Sequence, residues 1–304
     1  MQPKDKQMSD KIHVHEIDID TSLVQQLLIA QFPQWREMSI RLEKSAGSDH
    51  VIYRLGVNMC VRLPRTSDAA TQVEKEQKCL PKLASMPLAI PMPLAKGAPS
   101  QNYPYSWSVY HWIEGVNIAD NKIAKEISES HQAANDLAQF LISLQKIDSD
   151  GAPFSRRGQS LLTQDTEVRS AIESLRDLID AKKAIKIWED SLQVPAWNKP
   201  PRWVHGDLLP TNLLAQNGKL SAVIDFGLCG IGDPACDLIA AWSIFSADAR
   251  KVFRDKIAVD EATWMRGRGW ALSIALIIIP YYQTSNPLLT AIARRMINEI
   301  VSEY

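Results

Sequence analysis

The sequence predicts an α+β fold in two lobes, a small lobe of mixed strands and helices at residues 1–112 and a larger, mainly helical lobe at residues 113–304. Before Gly115, short apolar runs alternate with turn residues, as β-strands do. After Gly115, apolar residues recur every three or four positions over long stretches, as in amphipathic helices. A chain of 304 residues is long enough for two lobes with separate cores.

The predicted first lobe begins with a helix at residues 21–32, which Pro33 ends. The segments "VIYRL" and "MCVRL" then predict two strands joined by a tight turn at Gly56–Asn58. A charged segment that starts at Asp68 predicts a second helix. A proline-rich connection, residues 86–105, leads into a further strand in "SWSVYHWIEG".

The predicted second lobe contains long helical segments at residues 124–146 and 165–189. Asp233 followed by Pro234 predicts the start of another helix, with an acid at the N-cap and a proline in the first helical position. From there we expect helix to the end of the chain.

The balance of charges argues against nucleic-acid and membrane partners. The 34 basic and 35 acidic residues give a formal net charge of −1, so no overall field attracts a polyanion or an anionic membrane. The longest apolar run, residues 270–282, is shorter than the roughly 20 residues that span a bilayer, and it contains Pro280. We expect it to form a buried helix.

The four cysteines have no Cys-x-x-Cys spacing and no adjacent histidines, which predicts reduced, mostly buried thiols. The polar N-terminal segment "MQPKDKQMSDK" lacks the apolar stretch of a secretory signal. We therefore expect a cytoplasmic protein. His13 and His15 are too isolated to predict a metal site.

Two acids and an amide stand out in the second lobe. "VHGDLLPTNLL" places Asp207 and Asn212 five positions apart, and "LLAQNGKLSAVIDF" follows. In it, Asn217–Gly218 predicts a two-residue type I′ hairpin turn. With that turn Asn212 faces Val223, and Asp225 lies on the same face of the hairpin because side chains alternate. We therefore expect Asn212 and Asp225 together at the open end of the hairpin, with Asp207 in the loop before it.

These residue types suit phosphoryl transfer. Amide and carboxylate oxygens, here of Asn212 and Asp225, are the ligands of a hard divalent cation such as Mg²⁺. A separate carboxylate, here Asp207, can accept the proton of a substrate hydroxyl group. The spacing D-x-x-x-x-N followed by I-D-F-G is the pattern of such centres. The alternative, a capped loop and a hairpin with incidental polar ends, leaves the acid at the end of an apolar hairpin unexplained.

The motifs "VHGDLLPTNLL", "VIDFG" and "GDPACDL" resemble those of the aminoglycoside phosphotransferase family, which has a protein-kinase-like fold and includes macrolide and choline kinases. The resemblance extends over about residues 40–300. It implies a kinase that uses Mg²⁺ and ATP, or GTP, to phosphorylate a hydroxyl group of a small molecule. By the resemblance Asp207 is the catalytic base, and Asn212 and Asp225 are the metal ligands. Leu209 departs from the family, since many members have histidine there.

The resemblance also implies how the nucleotide binds. Arg62 of "MCVR" takes the place of the kinase strand lysine and contacts the phosphates. Its partner in the next helix is Glu76, with Glu74 as the alternative. The competing interpretation is that these are surface charges on a strand and a helix.

Other residues follow from the same resemblance. Ser48 in the loop "KSAGSDHVIY" contacts a phosphate, although the loop is no G-x-G-x-x-G motif. Backbone groups of His111 and Ile113 in "YHWIEG" bind the purine. Asp237 holds the backbone of the catalytic loop, which is a structural role.

Two other functions fit parts of the sequence. A catalytically silent kinase-like binding protein could lose any of Asp207, Asn212 and Asp225, so their joint presence argues against it. In a protein kinase an activation loop and A-P-E follow the D-F-G motif, whereas here "GDPACDL" follows "IDFG" almost at once.

The acceptor is predicted only as a class. An aminoglycoside is a polycation and needs an acidic pocket, for which Glu114, Asp120 and Glu261 are the candidates. The segments 116–200 and 246–285 otherwise combine aromatic residues with scattered acids. The aromatic residues are Trp188, Trp197, Trp264, Trp270 and Tyr281. We therefore expect an acceptor with apolar or sugar surface and modest positive charge, either an antibiotic or a metabolite.

Overall fold

The computed structural model describes residues 17–43 and 49–304. Ser48, His13 and His15 lie outside this part of the chain. The fold is organised as two compact units, called here unit 1 and unit 2. Unit 1 comprises Met1–Ala84 and Ile90–Glu114, and unit 2 comprises Ser85–Ala89 and Gly115–Tyr304. Unit 1 contains a five-stranded sheet and unit 2 is mainly helical, which confirms the predicted α+β class.

Unit 1 is built on an antiparallel sheet in the order β1-β2-β3-β5-β4. Its helices and strands are α1 (Thr21–Gln31), β1 (Ile40–Glu43), β2 (His50–Leu55), β3 (Met59–Pro64), α2 (Ser67–Cys79), β4 (Pro93–Gly97) and β5 (Trp107–His111). The predicted turn at Gly56–Asn58 is confirmed, since Leu55 pairs with Met59 across it. Tyr53 and Trp107 are fully buried in the core beside residues of α1 such as Leu28.

Unit 2 is mainly α-helical and also contains two small sheets, one of three strands and one of two. Its helices and strands are β6 (Val116–Asn117), α3 (Asn121–Glu129), α4 (His131–Leu144), α5 (Asp165–Ser174), α6 (Ala181–Gln193), β7 (Arg202–Val204), β8 (Leu213–Gln216), β9 (Lys219–Val223), β10 (Gly230–Gly232), α7 (Ala240–Ser243), α8 (Ala247–Ile257), α9 (Glu261–Tyr282) and α10 (Pro287–Glu303). One sheet has the order β6-β8-β9, and β7 pairs with β10 in the other.

The predicted long helices are interrupted. Residues 124–146 form parts of two helices, because Ser130 has an extended backbone and accepts the Ala133 N–H at 3.1 Å as the N-cap of α4. Residues 165–189 are likewise divided, and Asp180 caps α6. A polar residue that bonds to its own backbone neighbours competes with a continuous helix, and apolar periodicity does not register this competition.

The last part of unit 2, from Asp233 onward, is helical but interrupted. The segment after Asp233 begins as a 3₁₀ helix, Pro234–Ile239, and continues as four separate α-helices, so the prediction of uninterrupted helix is wrong. The apolar run at residues 270–282 is the second half of α9, and most of its residues are buried, as predicted. None of the described helices is long and apolar enough to cross a membrane.

The cysteine prediction is confirmed. All four cysteines are free thiols, with Cys79, Cys229 and Cys236 buried and Cys60 half-buried. Burial raises the pKa of the Cys60 thiol to about 11, against the lowering by the charge of Arg62. The Cys60 thiol therefore stays protonated near neutral pH.

Candidate active site

The hairpin of β8 and β9 turns where the sequence predicts. Asn217 and Gly218 have φ of 53° and 73°, the two positive values that a type I′ turn requires. Gln216 pairs with Lys219 across the turn, as predicted. The Asn-Gly dipeptide thus fixes this end of the hairpin by local conformational preference alone.

The other end of the hairpin differs from the prediction by one residue. An irregularity between Leu214 and Ala215 shifts the register, so that Leu213 and not Asn212 pairs with Val223. The Ile224 N–H instead donates to the Asn212 carbonyl at 2.9 Å. The predicted pairing of Asn212 with Val223 is therefore wrong, because a β-bulge places an extra residue on one strand.

Asp225 leaves the hairpin by a local change of backbone direction. β9 ends at Val223, and Asp225 has a φ of 63°, which is uncommon for a residue other than glycine. Strand alternation consequently does not decide where its carboxylate points. What the backbone does fix is that Asp225 directly follows Ile224, the residue bonded to Asn212.

Asp207 and Asn212 are joined by hydrogen bonds in the loop before β8. The Asn212 Nδ2 donates to the Asp207 carboxylate Oδ2 and to the Asp207 carbonyl, both at 2.9 Å. Asn212 is buried within a short 3₁₀ turn, Pro210–Asn212. Because Nδ2 is the donor, the atom that would bind a metal ion is the amide oxygen Oδ1.

His205 links this loop to the segment that carries Asp225. Its Nδ1 accepts the Asp207 N–H at 3.2 Å, so its Nε2–H donates to the Ile224 carbonyl at 3.0 Å. Burial lowers the pKa of His205 to about 4, against the raising by the charge of Asp225. The neutral imidazole is thus a structural connection between the two motifs near neutral pH.

Asp237 holds the backbone of the same loop. Its carboxylate accepts the N–H groups of His205 at 2.8 Å and Gly206 at 2.7 Å. Burial raises the pKa of Asp237 to about 7, against the lowering by these two donors. Gly206 has a φ of 84°, and a Cβ there would lie 2.8 Å from the Leu228 carbonyl oxygen, so glycine is required. The predicted structural role of Asp237 is confirmed.

The charged residues predicted for unit 1 form a buried pair. Arg62 Nη1 lies 2.5 Å from Glu76 Oε1, with the two side chains 12% and 2% exposed. The Tyr110 hydroxyl donates to Glu76 Oε2 at 2.5 Å. Glu74 instead pairs with Lys96 in an exposed contact, so Glu76 is the partner of Arg62. The alternative of unrelated surface charges is therefore wrong for Arg62 and Glu76.

Backbone hydrogen bonds around His111 restrict which of its atoms can bind a purine. The His111 N–H donates to the Met92 carbonyl at 3.1 Å, so the prediction for His111 is restricted to its carbonyl oxygen. The Trp112 N–H donates to the Asn58 carbonyl at 2.8 Å, which fixes the chain just before Ile113. The role of Ile113 stays a prediction.

With this geometry established, the comparisons with known proteins identify the family. The sequence profile of the phosphotransferase enzyme family matches residues 43–270, three quarters of the chain. The chain belongs to this family. It is therefore a small-molecule phosphotransferase, as the resemblance in its motifs predicts. A search of curated proteins finds no match.

Solved structures share the fold of this phosphotransferase. APH(2″)-IIia, in a complex with GDP and kanamycin, has 18% identity and a TM-score of 0.73, and the match covers 93% of this chain and 99% of that one. The ADP-bound aminoglycoside phosphotransferase APH(2″)-Ib has 17% identity and a TM-score of 0.60, covering 93% and 99%. A macrolide 2′-phosphotransferase from Brachybacterium faecium has 18% identity and a TM-score of 0.59, covering 90% and 97%.

The acids predicted to bind a cationic acceptor all have other contacts in this phosphotransferase. Glu114 forms an ion pair with Arg54 at 2.6 Å in unit 1, and Glu261 pairs with Arg254 in unit 2. Asp120 caps α3 by accepting the Lys122 N–H at 2.9 Å. Each acid thus has a local structural role.

The aromatic residues predicted to line an acceptor pocket have different environments. Trp188, Trp264 and Trp270 are fully buried core residues, so they belong to the core and not to the wall of a pocket. Tyr281 is 62% exposed at the end of α9. Trp197 is half-buried and lines a cavity in unit 2.

That cavity has a volume of about 690 Å³, within the range of small-molecule sites. Apolar side chains of Leu161, Leu162 and Trp197 contribute to its lining. Asp233 and Arg266 also line it, and they form a buried ion pair at 2.7 Å. The cavity therefore presents apolar surface and one ion pair, in which the charges of Asp233 and Arg266 cancel.

Sequence reasoning missed one charged residue, Arg157. It lies in the loop of residues 153–160, which also contributes to the cavity lining. Asp207 is the acid whose charge acts most strongly on its guanidinium. In the sequence, Arg157 could have been noticed only as one of two arginines before a glycine in "SRRGQ", a segment between amphipathic helices.

Proposed function

We propose that this phosphotransferase transfers the γ-phosphoryl group of ATP, bound as its magnesium complex, to a hydroxyl group of a small molecule. The observation that supports this best is the hydrogen bond between Asn212 Nδ2 and the Asp207 carboxylate at 2.9 Å. It holds one carboxylate beside an amide whose oxygen suits a hard cation. The backbone bond from Ile224 to Asn212 brings the chain of Asp225 to the same loop.

In this proposal the residues of unit 2 have separate roles. Asp207 orients the acceptor hydroxyl group and takes its proton. Asn212 Oδ1 and the Asp225 carboxylate bind Mg²⁺, which neutralises charge on the phosphates when it is bound. The described residues contain no cluster of three or more His, Cys, Asp or Glu side chains that would bind a metal alone. This fits Mg²⁺, which keeps waters and phosphate oxygens among its ligands.

The residues of unit 1 are assigned to the nucleotide. The Arg62 guanidinium binds phosphate oxygens, and Glu76 orients it through their 2.5 Å contact. The His111 carbonyl and backbone groups of Ile113 bind the purine. Ser48, outside the described residues, is assigned to a phosphate. GDP and ADP in the complexes of APH(2″)-IIia and APH(2″)-Ib support ATP or GTP as the donor.

For the acceptor we propose the cavity of unit 2. Its loop, residues 153–160, also contacts the catalytic loop, since Ser155 Oγ would lie 3.2 Å from a Cβ on Gly206. Asp233 is neutralised by Arg266, so the cavity has no excess of negative charge for a dense polycation. It favours an acceptor with apolar or sugar surface and modest positive charge.

The test is ATP consumption by the purified protein, in the presence of Mg²⁺, against a panel of aminoglycosides, macrolides, amino alcohols and sugars. We expect turnover with an acceptor from the less charged classes. Efficient turnover of a polyamino aminoglycoside, with no better acceptor in the panel, would contradict the proposed acceptor class. Tight Mg-ATP binding without turnover of any acceptor would favour the silent binding protein instead. We propose a cytoplasmic location, which the four free thiols support.

A further inference from the structure

The loop of residues 153–160 is attached to the segment that follows Asp225. The Ser155 N–H donates to the Ile231 carbonyl at 3.0 Å, and the Ser155 hydroxyl donates to the Leu228 carbonyl at 2.8 Å. The same Oγ accepts the Arg157 N–H at 3.2 Å. Ser155 is buried, so these bonds are shielded from water. These bonds anchor Ser155 and fix the backbone of Arg157, two residues further along the chain.

Close backbone packing restricts the loop further. A Cβ on Gly232 would lie 2.3 Å from the Gly158 carbonyl oxygen, and one on Gly230 would lie 2.5 Å from the Pro153 carbonyl oxygen. Real Cβ atoms do not approach that closely, so both strand glycines are needed for the loop to pack on β10. The Asp233 N–H also donates to the Gly158 carbonyl at 2.9 Å.

This loop contacts the catalytic loop at Gly206, the residue before Asp207, where a Cβ would lie 3.2 Å from Ser155 Oγ. Arg157, two residues after Ser155, is therefore anchored near Asp207. Burial lowers the pKa of Arg157, and the charge of Asp207 is the strongest influence opposing that shift. The side chain nevertheless forms none of the ion pairs within 4.0 Å found among the described residues. By contrast, the half-buried Arg62 and the buried Arg266 each contact a carboxylate at 2.7 Å or less. A desolvated cation without such a contact is costly unless a ligand supplies the anion.

The catalytic motifs themselves supply no positive charge. Between residues 203 and 233 the basic side chains are His205, which is neutral, and Lys219, which is exposed next to the hairpin turn. A phosphoryl group in transfer carries negative charge on its equatorial oxygens, and fixed cations stabilise that charge. Mg²⁺, if held by Asn212 and Asp225 as proposed, would supply one such cation, and a basic side chain could supply another.

We propose that the Arg157 guanidinium contacts the γ-phosphoryl group during its transfer, as a catalytic residue that stabilises the transition state. This inference rests on the proposed function. In the step, the bond from the γ-phosphorus to the bridging oxygen breaks, and its electron pair leaves with the nucleoside diphosphate. The acceptor oxygen forms the new bond to phosphorus and gives its proton to Asp207. Arg157 forms hydrogen bonds only, and they are strongest in the transition state.

The test compares binding of Mg-ADP alone with binding of Mg-ADP plus aluminium fluoride, which mimics the phosphoryl group in transfer. We expect wild type to bind the fluoride complex more tightly than Mg-ADP. Arg157→Met should lose most of this difference while its Mg-ADP affinity stays within about twofold. Its turnover should fall by a factor on the order of 10²–10³, as for loss of one donor to a developing charge. Arg157→Lys should restore part of both losses.

Arg156→Met is the matched control, because it removes the same charge from an exposed position of the same loop. It should behave as wild type. Equal loss of Mg-ADP and fluoride-complex binding in both Arg157 variants would make Arg157 structural and overturn the inference. A rise in the Michaelis constant of the acceptor alone would also overturn it, since Arg157 would then bind an anionic group of the acceptor. A wild-type protein that fails to bind Mg-ADP would instead overturn the proposed function itself.

Discussion

Two buried acids, Glu76 of unit 1 and Asp237 of unit 2, are held by different kinds of donor. In unit 1 the carboxylate of Glu76 contacts a basic side chain, Arg62, and a hydroxyl group, so the site is close to neutral by itself. In unit 2 the carboxylate of Asp237 accepts two backbone N–H groups, and the carboxylate of Asp207 accepts an amide of Asn212. Neutral donors hold a carboxylate in place without cancelling its charge.

This difference suggests that the two units have different functions. A neutral buried pair can position a guanidinium for phosphate oxygens at little cost in repulsion. The catalytic loop is instead held by hydrogen bonds from backbone N–H groups and from the Asn212 amide.

The largest effect is expected at Asp207. Asp207→Asn keeps an oxygen that can accept from Asn212 but removes the base, so turnover should fall by a factor on the order of 10²–10⁴. Thermal unfolding should remain close to that of wild type, because the loop keeps its hydrogen bonds. Steady-state kinetics with the best acceptor measures the change. Wild-type turnover in this variant would remove Asp207 from the mechanism.

A somewhat smaller effect, on stability, is expected at Asp237. Asp237→Ala leaves the His205 and Gly206 N–H groups buried without an acceptor, which should cost roughly 2–5 kcal/mol of unfolding free energy. Urea unfolding followed by circular dichroism measures it. Asp248→Ala is the control, since Asp248 is exposed in the first turn of α8, and its effect should stay within about 0.5 kcal/mol. Equal effects of the two variants would mean that Asp237 does not hold the loop.

The smallest effect is expected at the pair in unit 1. Arg62→Ala removes a charged contact to the phosphates, so the Michaelis constant of the nucleotide should rise on the order of tenfold, with a smaller change for the acceptor. Lys96→Ala is the control. It breaks an exposed contact with Glu74, which lies on the same helix as Glu76, and should change neither constant. If both constants rise equally in Arg62→Ala, Arg62 supports the structure of the unit and does not bind nucleotide.

Local signals in the sequence predicted much of the fold. Asn217–Gly218 fixed the hairpin turn because a type I′ turn needs two positive φ values, and the pairing of Asp233 with Pro234 marked a helical start. The spacing of Asp207 and Asn212 placed both in one loop, where they are joined by a hydrogen bond. These features depend on neighbours in sequence, and sequence patterns report such neighbours directly.

What the sequence did not predict depends on contacts between distant segments. The bulge that moves Asn212 away from Val223 has no glycine or proline to signal it. The role proposed for Arg157 depends on Ser155, which binds the Leu228 and Ile231 carbonyls more than 70 residues away. The burial of Trp264 and Trp270 likewise follows from packing, and aromatic residues alone do not distinguish a core from a pocket wall.

In the proposed mechanism Asp207 acts as the base, and Asn212 and Asp225 bind the metal ion. Calorimetric titration of Mg-ATP into Asp207→Asn and Asp225→Ala, side by side with wild type, tests it most directly. We predict near wild-type affinity for Asp207→Asn and an affinity weaker on the order of tenfold or more for Asp225→Ala, which loses a metal ligand. The difference between the variants should vanish when EDTA removes Mg²⁺. Unchanged Mg-ATP affinity in Asp225→Ala, or an equal loss in Asp207→Asn, would contradict the account.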